Sequence, residues 1–180
     1  LDYGEREYVL RRPPLGPVAP TAHDMAREHK VLSVLHEDFP YAPQALHFCD
    51  NHEIIGAPFF IMDRKVGVVI RTTLPENFDQ ITNGPELISA QLINVLAEFH
   101  KVDYSALGLD DLGKPEGFLQ RQVKGWKKRW DKAKHEDLPA VENIYNWLSE
   151  NIPETKNYSI IHNDYKLDNV MYNTNDPGKL

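Results

Sequence analysis

The sequence contains one cysteine, Cys49, so no disulfide bond can form within the chain. A secreted scaffold held together by disulfides is therefore excluded, and a reducing compartment, the cytoplasm, is favoured. The sequence also lacks any apolar run close to the roughly 20 residues that a membrane-spanning helix needs. Its first residues, 1–4, do not have the pattern of a signal peptide. We therefore expect a cytoplasmic protein that does not bind a membrane.

Basic charge is scarce as well. Lysine and arginine number 20 against 27 acidic residues, which gives a formal net charge of −7. Because neutralisation of phosphates dominates nucleic-acid affinity, a general nucleic-acid binder is excluded. The 180 residues are 41% hydrophobic and 26% charged. This composition is typical of a globular protein with a core, and it argues against disorder and coiled coils.

The first third of the chain favours strands with one helix among them. The predicted strands cover residues 7–12, 45–51 and 58–63. Between the first two, Thr21 and Asp24 are typical of a helix N-cap and first turn, and apolar spacing carries that helix to about His36. A polar break over residues 63–67 follows the last strand, and we interpret it as a hinge between two lobes.

The rest of the chain favours helices. Residues 83–86, Asn-Gly-Pro-Glu, are typical of a helix start. The apolar residues that then recur at helical spacing are Ile88, Leu92, Val95 and Phe99. Two further helices are expected, one after Pro115 and one from about Pro139. Their predicted inward residues are Leu119, Val123, Trp126, Trp130, Val141, Ile144 and Leu148.

One polar loop, residues 162–169, carries the clearest chemical pattern. It reads H-x-D-x-K-x-x-N, with Asp164 and Lys166 at the middle positions. Two short apolar segments, 158–161 and 170–172, flank it, and we expect both to be strands that hold the loop rigidly. The pattern matches the catalytic loop of the protein-kinase superfamily, in which the aspartate orients the attacking hydroxyl and the asparagine holds a metal ion.

Phosphoryl transfer explains this choice of residues, because it depends on positioning and on charge neutralisation. Asp164 can stand beside the attacking hydroxyl, and the amide oxygen of Asn169 is a hard ligand that suits Mg²⁺. Lys166 projects on the same side as Asp164 in an extended loop and could reach the transferred phosphate, while Asp168 would fix the loop. The alternative is a polar surface loop in which Asp164 caps a turn and Asn169 begins a strand.

The sequence resembles the aminoglycoside phosphotransferase-like kinases, in the branch whose relatives are also found fused to acyl-CoA dehydrogenase domains. The segments that carry the resemblance are 8–14, 21–28, 121–123 with Trp126, and 162–171. It implies an α+β, protein-kinase-like fold with two lobes. Residues 1–63 would form a small, mostly β N-terminal lobe, and residues 64–180 a mostly helical C-terminal lobe.

The resemblance implies roles for two residues of the N-terminal lobe. Arg11 lies where most kinases have the strand lysine that holds the α and β phosphates, and Glu28 lies where a helix glutamate pairs with it. Arginine is a departure from the family pattern, since its planar guanidinium is not a point charge, although it binds phosphate well. Only the alternation of the strand favours Arg11 over its neighbour Arg12.

The resemblance also places ATP at the junction of the lobes, with Mg²⁺ held partly by Asn169. The strand that leads into the hinge, whose last backbone groups would meet the adenine, contains Phe60, Ile61, Met62 and Asp63. A glycine-rich loop is expected before Tyr3 and a second metal-binding aspartate after Leu180. We therefore expect the sequence to be truncated at both ends.

The predicted function is ATP- and Mg²⁺-dependent transfer of the γ-phosphate to a hydroxyl of a small molecule, with Asp164 as the base. A nucleotide-binding pseudokinase or regulatory module is the alternative, and Arg11 in the lysine position is its main support. A plain helical interaction domain would require the loop pattern to be an accident. The acceptor and the oligomeric state stay open, because one fold serves many acceptors.

Two other patterns are less specific. The basic stretch 124–134 is expected to be a solvated helix face with Trp126 and Trp130 in the core; the alternative is an electrostatic guide for an anionic acceptor, such as a phosphorylated or CoA-linked one. The eight histidines have no zinc-ligand spacing. We expect His162 to brace the loop by hydrogen bonding.

Overall fold

The computed structural model describes residues 2–4, 6–16 and 23–180. It has a four-stranded sheet and six α-helices in its described residues. The strands are β1 Asp2–Tyr3, β2 Arg6–Arg11, β3 Ala45–Cys49 and β4 Phe59–Asp63. The helices are α1 Met25–Leu35, α2 His52–Ile55, α3 Glu76–Asp79, α4 Gly84–Phe99, α5 Phe118–Ala133 and α6 Pro139–Glu150. The architecture is the expected α+β class.

The sheet has the order β1-β2-β4-β3, and each neighbouring pair is antiparallel. In the central pair, Val9 lies opposite Met62 and Arg11 lies opposite Phe60. Phe60 is fully buried, as the continuous apolar run of β4 predicted. All three predicted strands of this region are therefore present, with ends that differ by one or two residues.

Helix α1 packs against this sheet through a small apolar cluster of Met25, Ala45 and Phe60. Asp24 is its N-cap, and the Asp24 carboxylate accepts a hydrogen bond of 3.0 Å from the backbone N–H of Arg27. The sequence predicted Thr21 as the cap and Asp24 in the first turn; Thr21 lies outside the described residues. The N-cap and the apolar cluster together hold α1 in one orientation on the sheet, and this orientation determines where Glu28 lies.

Helix α4 begins where the sequence predicted. A Cβ atom on Gly84 would lie 2.6 Å from the carbonyl oxygen of Phe78, so α3 approaches this position too closely for a larger residue. Ile88, Val95 and Phe99 are buried, as the helical spacing indicated. Ile88 belongs to one apolar cluster, and Val95 and Phe99 belong to another. Helix α4 therefore connects two parts of the core.

The chain divides into two compact units, residues 1–109 with 159–180, and residues 110–158. The predicted lobe boundary after Asp63 falls inside the first unit and stays a prediction. In the second unit, Lys127 of α5 pairs with Glu142 of α6 at 2.9 Å and lies over the ring of Tyr145.

The predicted core residues of α5 and α6 are wrong in several cases. Trp126 is 64% exposed, Ile144 is 58% exposed and Leu148 is also exposed. Neither helix buries a residue fully. Helical periodicity groups apolar residues on one face, but it carries no information on whether a neighbour covers that face.

The two strands predicted beside the polar loop are also wrong. Residues 158–161 belong to no strand, and of residues 170–172 only Tyr172 forms a β-bridge, with Val68. A short apolar run indicates extended backbone, but pairing depends on a distant partner. Ile160 instead packs against the cluster that contains Val95 and Phe99.

Within the described residues, no helix is both long and apolar enough to cross a membrane.

Candidate active site

The polar loop turns sharply at its start. Asn163 adopts a left-handed backbone conformation with φ 66°, which asparagine tolerates better than most residues. The backbone N–H of Asp164 then faces Nδ1 of His162 at 3.4 Å. A single 3₁₀ turn, Leu167–Asn169, closes the loop through a bond from Asn169 N–H to the carbonyl of Lys166. His162 thus braces the loop in the manner that the sequence predicted.

The structure brings the charged and amide groups of the loop together. Nδ2 of Asn169 donates to Oδ2 of Asp164 at 2.7 Å and to the Asp164 carbonyl at 2.9 Å. Nζ of Lys166 lies 3.6 Å from Oδ2 of Asp164 and 3.5 Å from Oδ2 of Asp168. Asp164, Lys166 and Asn169, predicted from spacing alone, therefore form one contact group, with Asp168 at its edge.

This arrangement leaves useful atoms available. Because both bonds of Asn169 to Asp164 come from Nδ2, its Oδ1 is turned away and accepts no hydrogen bond from the part of the chain that the structure describes. Among the residues that the structure describes, Lys166 is held only by exposed ion pairs, which are weak and easily exchanged for another anion. The described part of the loop thus offers an exposed carboxylate, an amide oxygen that accepts no hydrogen bond there, and an exposed ammonium group.

The donor set fits Mg²⁺ bound together with a nucleotide. Mg²⁺ prefers oxygen ligands and is usually held by one or two protein groups plus phosphates and water. Oδ1 of Asn169 is an oxygen of this kind. The described residues contain no cluster of three or more histidine, cysteine or acidic side chains that could hold a metal by itself. The Asn169 oxygen therefore suits a metal whose other ligands are phosphates and water.

Two tyrosines and one histidine attach the loop and its flank to α4. The hydroxyl of Tyr165 donates to the carbonyl of Leu92 at 2.8 Å, and that of Tyr172 donates to the carbonyl of Ile88 at 2.9 Å. The ring of His162 meets the ring of Phe99 edge-on at 6.3 Å. Burial raises the pKa of Tyr172 to about 12, so its hydroxyl remains a donor at neutral pH. Sequence reasoning assigned no role to either tyrosine.

A backbone contact fixes the segment that follows the loop. Val68 and Tyr172 exchange two hydrogen bonds, of 2.8 and 2.9 Å. A Cβ atom on Gly67 would lie 2.6 Å from the carbonyl oxygen of Tyr172, so only glycine allows this approach. Gly67 belongs to the polar break 63–67 of the sequence. The glycine itself was the one sequence feature that could have indicated a close backbone contact at this position.

On the side that the sequence predicts for the nucleotide, the expected basic–acidic pair is formed. Nε of Arg11 lies 2.5 Å from Oε2 of Glu28, and the two side chains are 45% and 30% exposed. Arg12 is directed elsewhere, since its guanidinium donates to the carbonyls of Ile55 and Pro13, both at 3.3 Å. The geometry therefore favours Arg11, where the sequence offered only strand alternation.

The predicted hinge residues lie at the end of β4, between β2 and β3. Ile61 and Met62 are half-buried, and the backbone N–H of Asp63 donates to the carbonyl of Gln44 at 3.0 Å. Because Arg11 pairs with Phe60 in the sheet, these residues adjoin the strand that carries Arg11. Their contact with adenine stays a prediction.

Comparison with known proteins agrees with this geometry. The model of the phosphotransferase enzyme family matches residues 1–180. Acyl-CoA dehydrogenase family member 11 of Gallus gallus is 36% identical over 177 residues, which cover 96% of this chain and 22% of that protein. Acyl-CoA dehydrogenase family member 10 of Mus musculus is 30% identical over 168 residues, which cover 93% and 16%.

A solved structure has the same fold. It is a protein of Ralstonia eutropha JMP134 that is provisionally assigned to the aminoglycoside phosphotransferases. It is 30% identical and superposes with a TM-score of 0.77 over 94% of this chain and 49% of that chain. The chain thus spans about half of this structure and 22% of the first curated relative. With a family model that matches the whole sequence, and relatives that match nearly all of it, the chain belongs to the phosphotransferase enzyme family.

Proposed function

We propose that the protein transfers the γ-phosphate of ATP to a hydroxyl group of a small molecule. The observation that carries the proposal is the contact group of the loop, in which Asn169 and Lys166 hold the exposed carboxylate of Asp164. Each member has the chemistry that phosphoryl transfer requires at that point: a proton acceptor, a metal ligand and a cation for the phosphate. Membership of the phosphotransferase family supports the same reaction class.

In the proposed reaction, Asp164 accepts a hydrogen bond from the acceptor hydroxyl and orients its oxygen toward the γ-phosphorus. The new P–O bond forms as the bond between that phosphorus and the β–γ bridging oxygen breaks, and ADP leaves. The hydroxyl proton passes to Asp164. Lys166 can leave its exposed ion pairs and balance charge on the transferred group. Mg²⁺, when bound, neutralises phosphate charge, and Oδ1 of Asn169 would be one of its ligands.

On the nucleotide side, Arg11 would bind the α and β phosphates with Glu28 fixing its side chain. A guanidinium presents a planar fork of donors, which can pair with two phosphate oxygens at once. The half-exposed ion pair leaves part of the guanidinium accessible. The backbone at the end of β4, near Met62 and Asp63, would meet the adenine.

The alternative of a nucleotide-binding module without efficient transfer rests on arginine in the usual lysine position. The pair of Arg11 and Glu28 weakens that argument, because Arg11 makes the ion pair with the helix glutamate that the resemblance expects of the lysine. The relatives are acyl-CoA dehydrogenase family members. We therefore propose that acyl-CoA-linked hydroxyl compounds belong in the acceptor screen beside neutral alcohols and aminoglycosides.

The test is a thermal-shift titration of the full-length protein with ATP, with and without Mg²⁺, followed by ADP-release assays on that acceptor screen. Native-state binding stabilises by about 2.7 kcal/mol at a hundredfold excess over Kd. We expect a shift that requires Mg²⁺, and ADP release that depends on one class of acceptor. A Mg²⁺-dependent shift without ADP release supports the binding module, and no shift in a folded sample contradicts both functions.

A further inference from the structure

Two tyrosine hydroxyls connect the chain on either side of Asn169 to one helix. Tyr165 donates to the carbonyl of Leu92 and Tyr172 to the carbonyl of Ile88, at 2.8 and 2.9 Å. Both acceptors belong to α4 and are four residues apart, so they lie one helical turn from each other, about 6 Å along the axis. The loop and the segment that follows it are therefore attached to one rigid helix at two positions, one turn apart.

A helix carbonyl is a precise anchor. Its first lone pair is used by the N–H group one turn later, but its second can accept another donor. The carbonyl cannot turn, because the helix fixes its direction. A hydroxyl bound to it consequently fixes the position of its own backbone along the helix. Leu92 is in the middle of α4, far from the ends where a helix frays.

Tyr165 is the residue between Asp164 and Lys166. Its ring is half-buried, and the ring of His162 meets it edge-on at 5.6 Å. Burial raises the pKa of the Tyr165 hydroxyl above its ordinary value, so it remains a donor throughout the neutral range. Tyr165 is covalently joined to Asp164 and Lys166, the two charged residues that the proposed reaction uses. A shift of the Tyr165 hydroxyl along α4 would therefore move both of them.

We propose that Tyr165 is a positioning residue, and that its bond to the Leu92 carbonyl sets the place of the Asp164 carboxylate. The inference rests on the proposed function, since Asp164 is the base there. Tyr172 has a different task. It is fully buried and eight residues beyond Asp164, so its hydroxyl stabilises the fold without setting the carboxylate.

The test compares Tyr165→Phe with Tyr172→Phe in the full-length protein. Each change removes one hydroxyl that bonds to α4 and keeps the ring. For Tyr165→Phe we expect kcat to fall about tenfold, since small misplacements of reacting groups are costly. KM for ATP should stay within about twofold and Tm within about two degrees. For Tyr172→Phe we expect the opposite result: Tm should fall, and kcat should change by less than about twofold.

Amide hydrogen exchange gives a readout that does not depend on turnover. The N–H of Asn169 donates to the Lys166 carbonyl inside the loop. We expect Tyr165→Phe to accelerate exchange at residues 164–169 while α4 is unchanged. If this variant fails to fold, hydrogen exchange in the wild type still tests the proposal. An anchored loop must protect the Asn169 amide from exchange, so rapid exchange of that amide in the wild type overturns the proposal.

The outcomes separate this inference from the proposed function. Active wild type with an unchanged kcat in Tyr165→Phe overturns the positioning role and leaves the function standing. A parallel loss of Tm, kcat and ATP affinity also overturns it, since that is the signature of a purely structural residue. Wild type that releases no ADP with any acceptor or with water overturns the proposed function, and the positioning role with it.

Discussion

The carboxylate of Asp164 is the most exposed of the three charged groups in the loop, with 65% of its side chain accessible. Asn169 binds one of its oxygens and Lys166 approaches the same atom. The group is thus oriented from one side and open on the other, as a base that must meet an incoming hydroxyl requires. The H-x-D-x-K-x-x-N spacing predicted that these three residues act together, whereas their contacts with one another are seen only in the structure.

Replacing Asp164 by Asn should therefore affect chemistry and not nucleotide binding. We expect kcat to fall by at least about a hundredfold, the lower end of what a general base contributes. The affinity for Mg²⁺-ATP, measured by thermal shift, should barely change. Asp79→Asn, an exposed carboxylate of α3, is the matched control and should retain activity. Parallel losses of turnover and ATP affinity in Asp164→Asn would contradict its assignment as the base.

The two neighbouring arginines permit a second test at this scale. Arg11 forms the ion pair with Glu28, while Arg12 bonds to backbone carbonyls of Ile55 and Pro13. Arg11→Met should raise KM for ATP about tenfold with little change in Tm, because exposed ion pairs contribute little to stability. Arg12→Met should lower Tm and leave KM nearly unchanged. The reverse pattern would show that Arg12 holds the phosphates.

At the scale of elements, α4 and the loop show what sequence can and cannot predict. The start of α4 and its buried stripe follow from local signals: the Gly-Pro-Glu sequence and the spacing from Ile88 to Phe99. The bond between Tyr165 and Leu92 joins residues 73 apart in sequence, and no local pattern encodes such a pairing. The strands expected at 158–161 and 170–172 failed for the same reason, since pairing is a long-range property.

Gly67 gives a stability test of this long-range contact. A Cβ atom there would overlap the carbonyl oxygen of Tyr172, which is backbone and cannot rotate away. We expect Gly67→Ala to destabilise the protein by about 1–3 kcal/mol, as overpacking usually does. Gly125→Ala is the control, because that position in α5 is open and alanine is the better helix former. It should stabilise by about 0.5–1 kcal/mol.

Thermal unfolding of the two variants beside the wild type measures both effects. A lower Tm for Gly67→Ala together with a higher Tm for Gly125→Ala would support the close approach of residues 67–68 to Tyr172. Gly67→Ala with an unchanged Tm would mean that this backbone contact can relax without cost.

At the scale of the whole molecule, the charge distribution is uneven. The sequence has a net charge of −7, yet α5 carries a run of lysines and arginines. The structure separates Lys127 from Lys124 and Lys128. Lys127 is engaged with Asp131 and Glu142, and these hydrogen bonds raise its pKa. Lys124 and Lys128 are exposed and four residues apart, so they lie on one face of the helix.

This separation decides how the anionic-acceptor hypothesis should be tested. Reversing Lys127 would break the contact between α5 and α6, whereas Lys124 and Lys128 can be changed without touching that ion pair. If the acceptor is anionic, Lys124→Glu with Lys128→Glu should raise its KM several-fold at low salt and leave kcat unchanged. The glutamine versions should have about half the effect on the free energy of binding, because they remove the charge without reversing it.

Salt and a neutral acceptor supply the remaining controls. At about 1 M salt the Debye length is about 3 Å, so the difference between wild type and the double variant should disappear. A neutral alcohol as acceptor should show the same KM in all forms at any salt. If the reversed charges leave the KM of the anionic acceptor unchanged at low salt, α5 does not guide the acceptor. Its lysines are then a solvated face, the simpler of the two interpretations that the sequence allowed.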